Sequence, residues 1–143
     1  MNAYKIRQAT GKDLNFLYDT WLNSYRYDSP MGKSCRNSVF FNEYKLVIDR
    51  ILSESETLVA HDPGDENLIF AYLVYQAPYL LHYAFCKDAF RRLGITKALF
   101  VEAFGSPDFK VEATHRTATV GDIFRDKPNL THNPFHLYLK GAI

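Results

Sequence analysis

The segment Leu68 to Gln76, LIFAYLVYQ, is apolar at almost every position. A strand points successive side chains to opposite faces, so this run needs cover on both sides. It predicts a central strand, apolar on both faces. Asp62-Pro63-Gly64-Asp65 is a strong turn signal just before it. Thr57 to His61 (TLVAH) precedes that turn and reads as a strand. Pro78 marks a second turn, and Tyr79 to Cys86 (YLLHYAFC) reads as the next strand. Strands joined by such short turns are expected to pair antiparallel.

The covering layers are visible in the flanking segments. Tyr4 to Ala9 (YKIRQA) reads as a short strand, and Thr10 with Asp13 has the spacing of a capping box. Leu14, Leu17, Tyr18, Trp21 and Tyr25 then form one face of an amphipathic helix. Asp28 to Ser38 (DSPMGKSCRNS) is rich in turn formers and reads as a loop. Phe40, Tyr44, Val47, Ile48 and Ile51 mark a second helix. A third is expected from Arg91, with Ile95, Ala98, Leu99 and Ala103 on one face, stopped by Gly105-Ser106-Pro107. Phe109 to Thr117 (FKVEATHRT) reads as a strand, VGDIF as a short helix and FHLYLK as a final strand.

The order is β-α-α-β-β-β-α-β, followed by a weaker α and β. It predicts an α/β (α+β) fold: a mixed, mostly antiparallel sheet with helices on both faces, in a single domain over 1–143. The strand at 79–86, the helix after it and the strand at 109–117 make one βαβ crossover. The 17 basic and 16 acidic residues nearly cancel, so attraction of an anion must be local rather than global. That balance, with no recognisable nucleic-acid motif, argues against a nucleic-acid binder using Arg91, Arg92, Lys97, Arg116 and Arg125. No signal-peptide core or membrane-length apolar run is present, and Cys35 and Cys86 do not form a secreted-type framework. The expectation is a cytoplasmic protein with reduced thiols. His132 and His136 are spaced as a helical metal pair, but Pro134 lies between them, so no metal site is expected.

The junction Lys87 to Phe100, KDAFRRLGITKALF, is the feature that most invites a ligand. A helix start exposes N–H groups without helical partners and carries about half a positive charge. Gly94 would let an oxygen approach the backbone, and Arg91 and Arg92 add charged donors. The strand edge just ahead could hold an amide chain by sheet-like hydrogen bonds. A ligand with a pyrophosphate at one end and an amide arm at the other suits both features. Arginines and a glycine in this setting also serve as ordinary surface and packing residues. Two other motifs fail: Gly32-Lys33-Ser34 resembles the end of a P-loop, but Tyr27 stands where the first glycine is needed. His115-Arg116-Thr117 is not a kinase H-R-D.

Cys86 to Leu99 resembles the acetyl-CoA motif of the GCN5-related N-acetyltransferases (GNAT), Q/R-x-x-G-x-G/A between a strand and a helix. Arg91 matches the first position and Gly94 the central glycine, while Thr96 stands where glycine or alanine is usual. YKIRQATGKDLNFLYDTW resembles that family's opening strand and first helix, and the element order is similar along most of the chain. The junction looks like that of short bacterial or phage-type members. The resemblance implies acetyl-CoA as co-substrate, with Arg91, Arg92, Leu93, Gly94, Ile95 and Thr96 wrapping its pyrophosphate. It implies that Ala84, Phe85 and Cys86 offer backbone partners to the pantetheine arm, where a bulge often parts this strand from the next. The amine acceptor, a small molecule or a protein, would enter over the loop 28–38 and the second helix.

Such a transfer needs a base for an amine of pKa ~10.4, and a proton source for the leaving thiolate. The tyrosine that the family often uses is missing from RTATVGDIFRD, and YLLHYAFC has no carboxylate. His82 is the first candidate base, because an ordinary histidine titrates near ~6.5. His115 is the second, and Tyr83 or Tyr138 are candidate acids. Each has a plainer reading as a buried structural residue. Cys86 reads as an inert buried thiol. Tyr25, Tyr27, Asp28 and Glu43 could favour a cationic acceptor, or simply form a polar surface. The rival function is a non-catalytic member of the fold that acts by CoA binding or protein contacts. The high aromatic count could supply a surface for a homodimer.

Overall fold

The computed structural model describes residues 3–91, 93–105, 110–117 and 130–137. Strand β1 (Lys5–Gln8) leads through a 3-10 turn (Gly11–Asp13) into α1 (Leu14–Asp28). Helices α2 (Pro30–Ser34) and α3 (Asn37–Glu54) follow, then β2 (Glu56–Asp62), β3 (Asp65–Gln76) and β4 (Leu80–Cys86). A 3-10 turn (Asp88–Phe90), α4 (Ile95–Phe104), β5 (Val111–Ala113) and β6 (Leu130–His132) complete the described elements. The strands lie in one sheet in chain order. Pairing is antiparallel from β1 to β4 and parallel from β4 to β6. This is the mixed, mostly antiparallel sheet that the sequence predicts.

The alternation of β2 to β4 divides the core into two layers. Leu58, Ala60, Phe70, Leu73, Leu81 and Ala84 pack with Ile95, Leu99 and Phe100 of α4. Val59, Ile69, Tyr72, Val74 and Tyr83 pack on the opposite face, with Leu17, Trp21 and Tyr25 of α1 and Phe40, Ile48 and Ile51 of α3. The apolar run in β3 therefore sits where it must, in mid-sheet between two helical layers.

The start of α1 is fixed by charge. Arg7 grips Asp13 with both ends of its guanidinium, at 2.8 and 3.0 Å. The backbone N–H of Thr10 donates to the same carboxylate at 2.7 Å, as the capping-box spacing predicts. Asp13 is buried, and its hydrogen bond with Arg7 holds it below the usual carboxylate range.

Four local expectations need correction. The segment 28–38 is not wholly loop, because α2 lies inside it. Ser29 accepts the Gly32 N–H at 2.9 Å and Pro30 opens the helix, so the turn formers act here as caps. The third helix begins at Ile95 rather than Arg91, since Arg91 is extended and Gly94 is left-handed at φ 78°. The strand expected over 109–117 is confined, among the described residues, to Val111–Ala113, and Thr114 and His115 turn their polar groups to one another instead. Among the described residues the last strand is Leu130–His132, and the part of the expected FHLYLK strand that is described, Phe135 to Leu137, forms a turn and a helical step. The helix expected at VGDIF, Phe109 and residues 138–140 lie outside the described residues.

One irregularity shapes the middle of the sheet. Val74 pairs with Tyr83 and Tyr75 with Leu81, so His82 is an extra residue in β4. Such a bulge bends its strand and raises the local twist. On the other edge of β4, pairing with β5 covers only Leu80↔Glu112 and Leu81↔Ala113. Its last backbone bond runs from the Thr114 N–H to the Leu81 carbonyl, at 2.9 Å. Beyond the bulge β4 continues to Cys86 beside β3, with no further β5 partner among the described residues.

Candidate functional site

The β4–α4 junction is built from two short structures. Strand β4 ends at Cys86, and the Lys87 N–H closes its ladder on the Phe70 carbonyl at 2.9 Å. The 3-10 turn then brings Arg91 back over the strand end. Arg91 donates from Nε to the Cys86 carbonyl at 3.3 Å and pairs with Asp88 at 3.2 Å. Its role here is to tie the turn down.

Gly94 supplies the left-handed residue that starts α4, and its carbonyl accepts the Ala98 N–H at 3.0 Å. The N–H groups of Ile95, Thr96 and Lys97 precede that first helical bond and have no side-chain cap. A Cβ built on Gly94 would meet nothing within 4 Å, so the surface here is open. Leu93 beside it is exposed and Ile95 is buried. Open N–H donors at the positive end of a helix are what a phosphate needs. Arg92 lies outside the described residues.

Thr96, the departure from the family pattern, faces inward: it is 9% exposed and hydrogen-bonds the Cys86 thiol. Burial pushes that thiol up and outweighs the hydrogen bond, which marks Cys86 as unreactive. Ala84 is buried in the α4 layer, and the Phe85 ring stacks on Tyr72 at 5.3 Å.

The three candidate catalytic side chains come together, but inside the protein. His82 is 4% exposed, Tyr83 2% and His115 2%. Thr114 Oγ1 stands 3.0 Å from Nδ1 of His82 and 2.8 Å from Nδ1 of His115. The His115 ring sits among four aromatic rings: Tyr25 at 5.0 Å, Trp21 and Tyr83 at 5.8 Å, and Tyr44 at 5.9 Å. Burial, with His82 and His132 adding to it, lowers His115 to about 3, so the ring is neutral at pH 7. Tyr83 stacks on Trp21 at 4.6 Å and its hydroxyl meets Ser24 Oγ at 2.6 Å. Burial pushes its phenol well above the ordinary value despite that hydrogen bond. Tyr138 lies outside the described residues.

Sequence reasoning missed Thr114 and Ser24, and read Tyr44 only as part of the apolar face of α3. The only available signal was Thr114 next to His115. On the acceptor side Tyr27, Asp28 and Glu43 are exposed, whereas Tyr25 belongs to the ring of aromatics around His115. His136 pairs with Glu112. Among the described residues no group of three His, Cys, Asp or Glu side chains is placed to hold a metal ion. Nor is any described helix long and apolar enough to cross a membrane.

No protein-family model matches the chain, and no curated protein matches it either. Solved structures do. The apo form of YjaB from Escherichia coli aligns at TM-score 0.53 and 15% identity, over 71% of this chain and 65% of that one. The match therefore spans less than two thirds of YjaB. A structure described as histone acetyltransferase HPA2 and related acetyltransferase, from Corynebacterium glutamicum, aligns at 0.52 and 15%, over 71% and 70%. A GNAT family acetyltransferase from Brucella melitensis, solved with acetyl-CoA, aligns at 0.48 and 14%, over 69% and 64%. The fold is that of the GNAT acetyltransferases.

Proposed function

We propose that this chain binds acetyl-CoA at the β4–α4 junction and transfers the acetyl group to an amine. One observation carries the reading. The β4 bulge and the end of the β4–β5 ladder occur just ahead of an open, glycine-started helix, on the same stretch of chain. A pantetheine arm would lie along β4 between His82 and Cys86. The N–H groups of Ile95, Thr96 and Lys97 would take the pyrophosphate oxygens. Arg91 serves by holding the turn in place.

In the transfer the amine nitrogen forms a bond to the acetyl carbon and the carbon–sulfur bond breaks. The amine loses a proton and the thiolate gains one. His115 is a poor base for this step, since a group lowered to about 3 has little affinity for the proton of an amine. Tyr83 is a poor acid, because burial holds its proton on. His82, at the bulge, is the remaining candidate for the base, and solvent can protonate the thiolate. Positioning alone contributes much of such a rate. The exposed Tyr27, Asp28 and Glu43 suit a cationic amine.

The burial of all three candidates gives weight to a second reading, a GNAT-fold protein that binds CoA without turnover. Release of free thiol from acetyl-CoA, measured across polyamines, a lysine peptide and an aminoacyl ester, separates the two. The enzyme reading predicts amine-dependent release that rises with pH as the amine deprotonates. Acetyl-CoA binding without release from any acceptor would favour the second.

A further inference from the structure

The end of β4 and the start of α4 meet at one residue, Cys86. Its backbone carbonyl accepts from Arg91 Nε at 3.3 Å. Its thiol is hydrogen-bonded to Thr96, the second residue of α4, and donates to the Lys87 carbonyl at 3.6 Å. Both side chains are buried: Cys86 is 3% exposed and Thr96 9%. Cys86 shares the core layer under α4 with Ile95 and Leu99. Thr96 therefore does two things at once. Its side chain points into the core, while its N–H is one of the three open donors at the helix start.

A threonine well inside a helix can satisfy its hydroxyl on a carbonyl three or four residues back. Thr96 has no helical carbonyl there, because those positions lie ahead of Ile95. The Cys86 thiol supplies the partner instead. A buried hydroxyl that loses its partner is costly, and a shift of the helix start toward solvent would relieve the cost. Such a shift would carry the open N–H groups with it. We infer that Cys86 and Thr96 act as one positioning unit, whose buried contact fixes where the N–H groups of Ile95, Thr96 and Lys97 stand relative to the end of β4. Neither side chain touches the ligand. Together they set the spacing between the strand that would hold a pantetheine arm and the helix start that would hold a pyrophosphate. That use of the contact rests on the acetyl-CoA reading. The coupling of the two residues does not.

A double-mutant cycle tests the unit. Thr96→Val keeps the shape and removes the hydroxyl; it is made in the wild type and in Cys86→Ala, and acetyl-CoA is titrated into all four proteins. Cys86→Ala leaves the hydroxyl stranded and should weaken binding about fivefold. Adding Thr96→Val should recover most of that loss, whereas Thr96→Val alone should bring no gain. Thr96→Ser should bind as the wild type does. KM for acetyl-CoA should follow these changes at unchanged kcat. Exchange of the Ala98 N–H, which donates to the Gly94 carbonyl, reports on the start of α4 without ligand. It should quicken in Cys86→Ala and slow again in the double variant. Cys86→Val, which keeps the volume, takes the place of Cys86→Ala if the latter does not fold. The same fold-change from Thr96→Val in both backgrounds would overturn the coupling. Coupled unfolding midpoints with unaltered affinity and exchange would reduce the pair to core packing and overturn its positioning role. No acetyl-CoA binding by folded wild type would instead remove the acetyl-CoA reading, and the exchange rates would still decide the coupling.

Discussion

His115 shows how a single residue can couple folding to pH. Its ring is enclosed by Trp21, Tyr25, Tyr44 and Tyr83, and burial lowers it from 6.5 to about 3. The unfolded chain therefore binds a proton that the folded one refuses. The stabilisation is complete above the unfolded value and is lost as pH falls toward the folded one. The slope should approach about 1.4 kcal/mol per pH unit in that window. Denaturant midpoints between pH 7 and pH 4 should fall steadily in the wild type and much less in His115→Gln. Equal slopes would mean that His115 is not buried as described. Asp13 adds a separate loss only at lower pH, because Arg7 holds its folded value below the ordinary carboxylate one. Sequence pattern made the Thr10–Asp13 cap legible, since capping depends on neighbours in the chain. It gave no view of Thr114, whose partners lie across the sheet and depend on a bulge.

Among the elements, α2 is the one that composition hid. Ser29, Pro30 and Gly32 read as loop formers, yet they cap and pack a short helix against the end of α1. Gly32 is required there by contact rather than by backbone angle. A Cβ on it would lie 2.1 Å from the Tyr25 carbonyl oxygen and 2.7 Å from Arg26 Cα, both backbone atoms with little room to give. Gly32→Ala should cost about 3 kcal/mol or more, read from equilibrium unfolding. A neutral effect would show that α2 does not lie on α1. The same contact explains the P-loop likeness of Gly32-Lys33-Ser34 as a packing motif. The longer elements were legible because stripes of Leu17, Trp21 and Tyr25, or of Phe40, Ile48 and Ile51, report burial directly. Strand β5 is three residues long, too short for a periodic pattern, and was overextended; β6, three residues among those described, had no pattern to mark it.

At the scale of the molecule, the element order and the apolar run of β3 were enough to predict a mixed sheet between helical layers. The departure of β4 from β5 was expected only from the family resemblance, because a bulge leaves no mark on hydrophobic pattern. That departure and the open start of α4 together support an acyl-CoA site. The direct test is calorimetric titration of acetyl-CoA into the wild type, Gly94→Asn and Gly94→Asp. Asn and Asp are alike in size and in tolerance of the left-handed backbone at this position, and differ in charge. Micromolar binding is expected for the wild type, with modest weakening in Gly94→Asn and a further loss of at least tenfold in Gly94→Asp, where a carboxylate faces the pyrophosphate. Equal affinity for the Asn and Asp variants, or no binding by folded wild type, would contradict an acyl-CoA site at this junction.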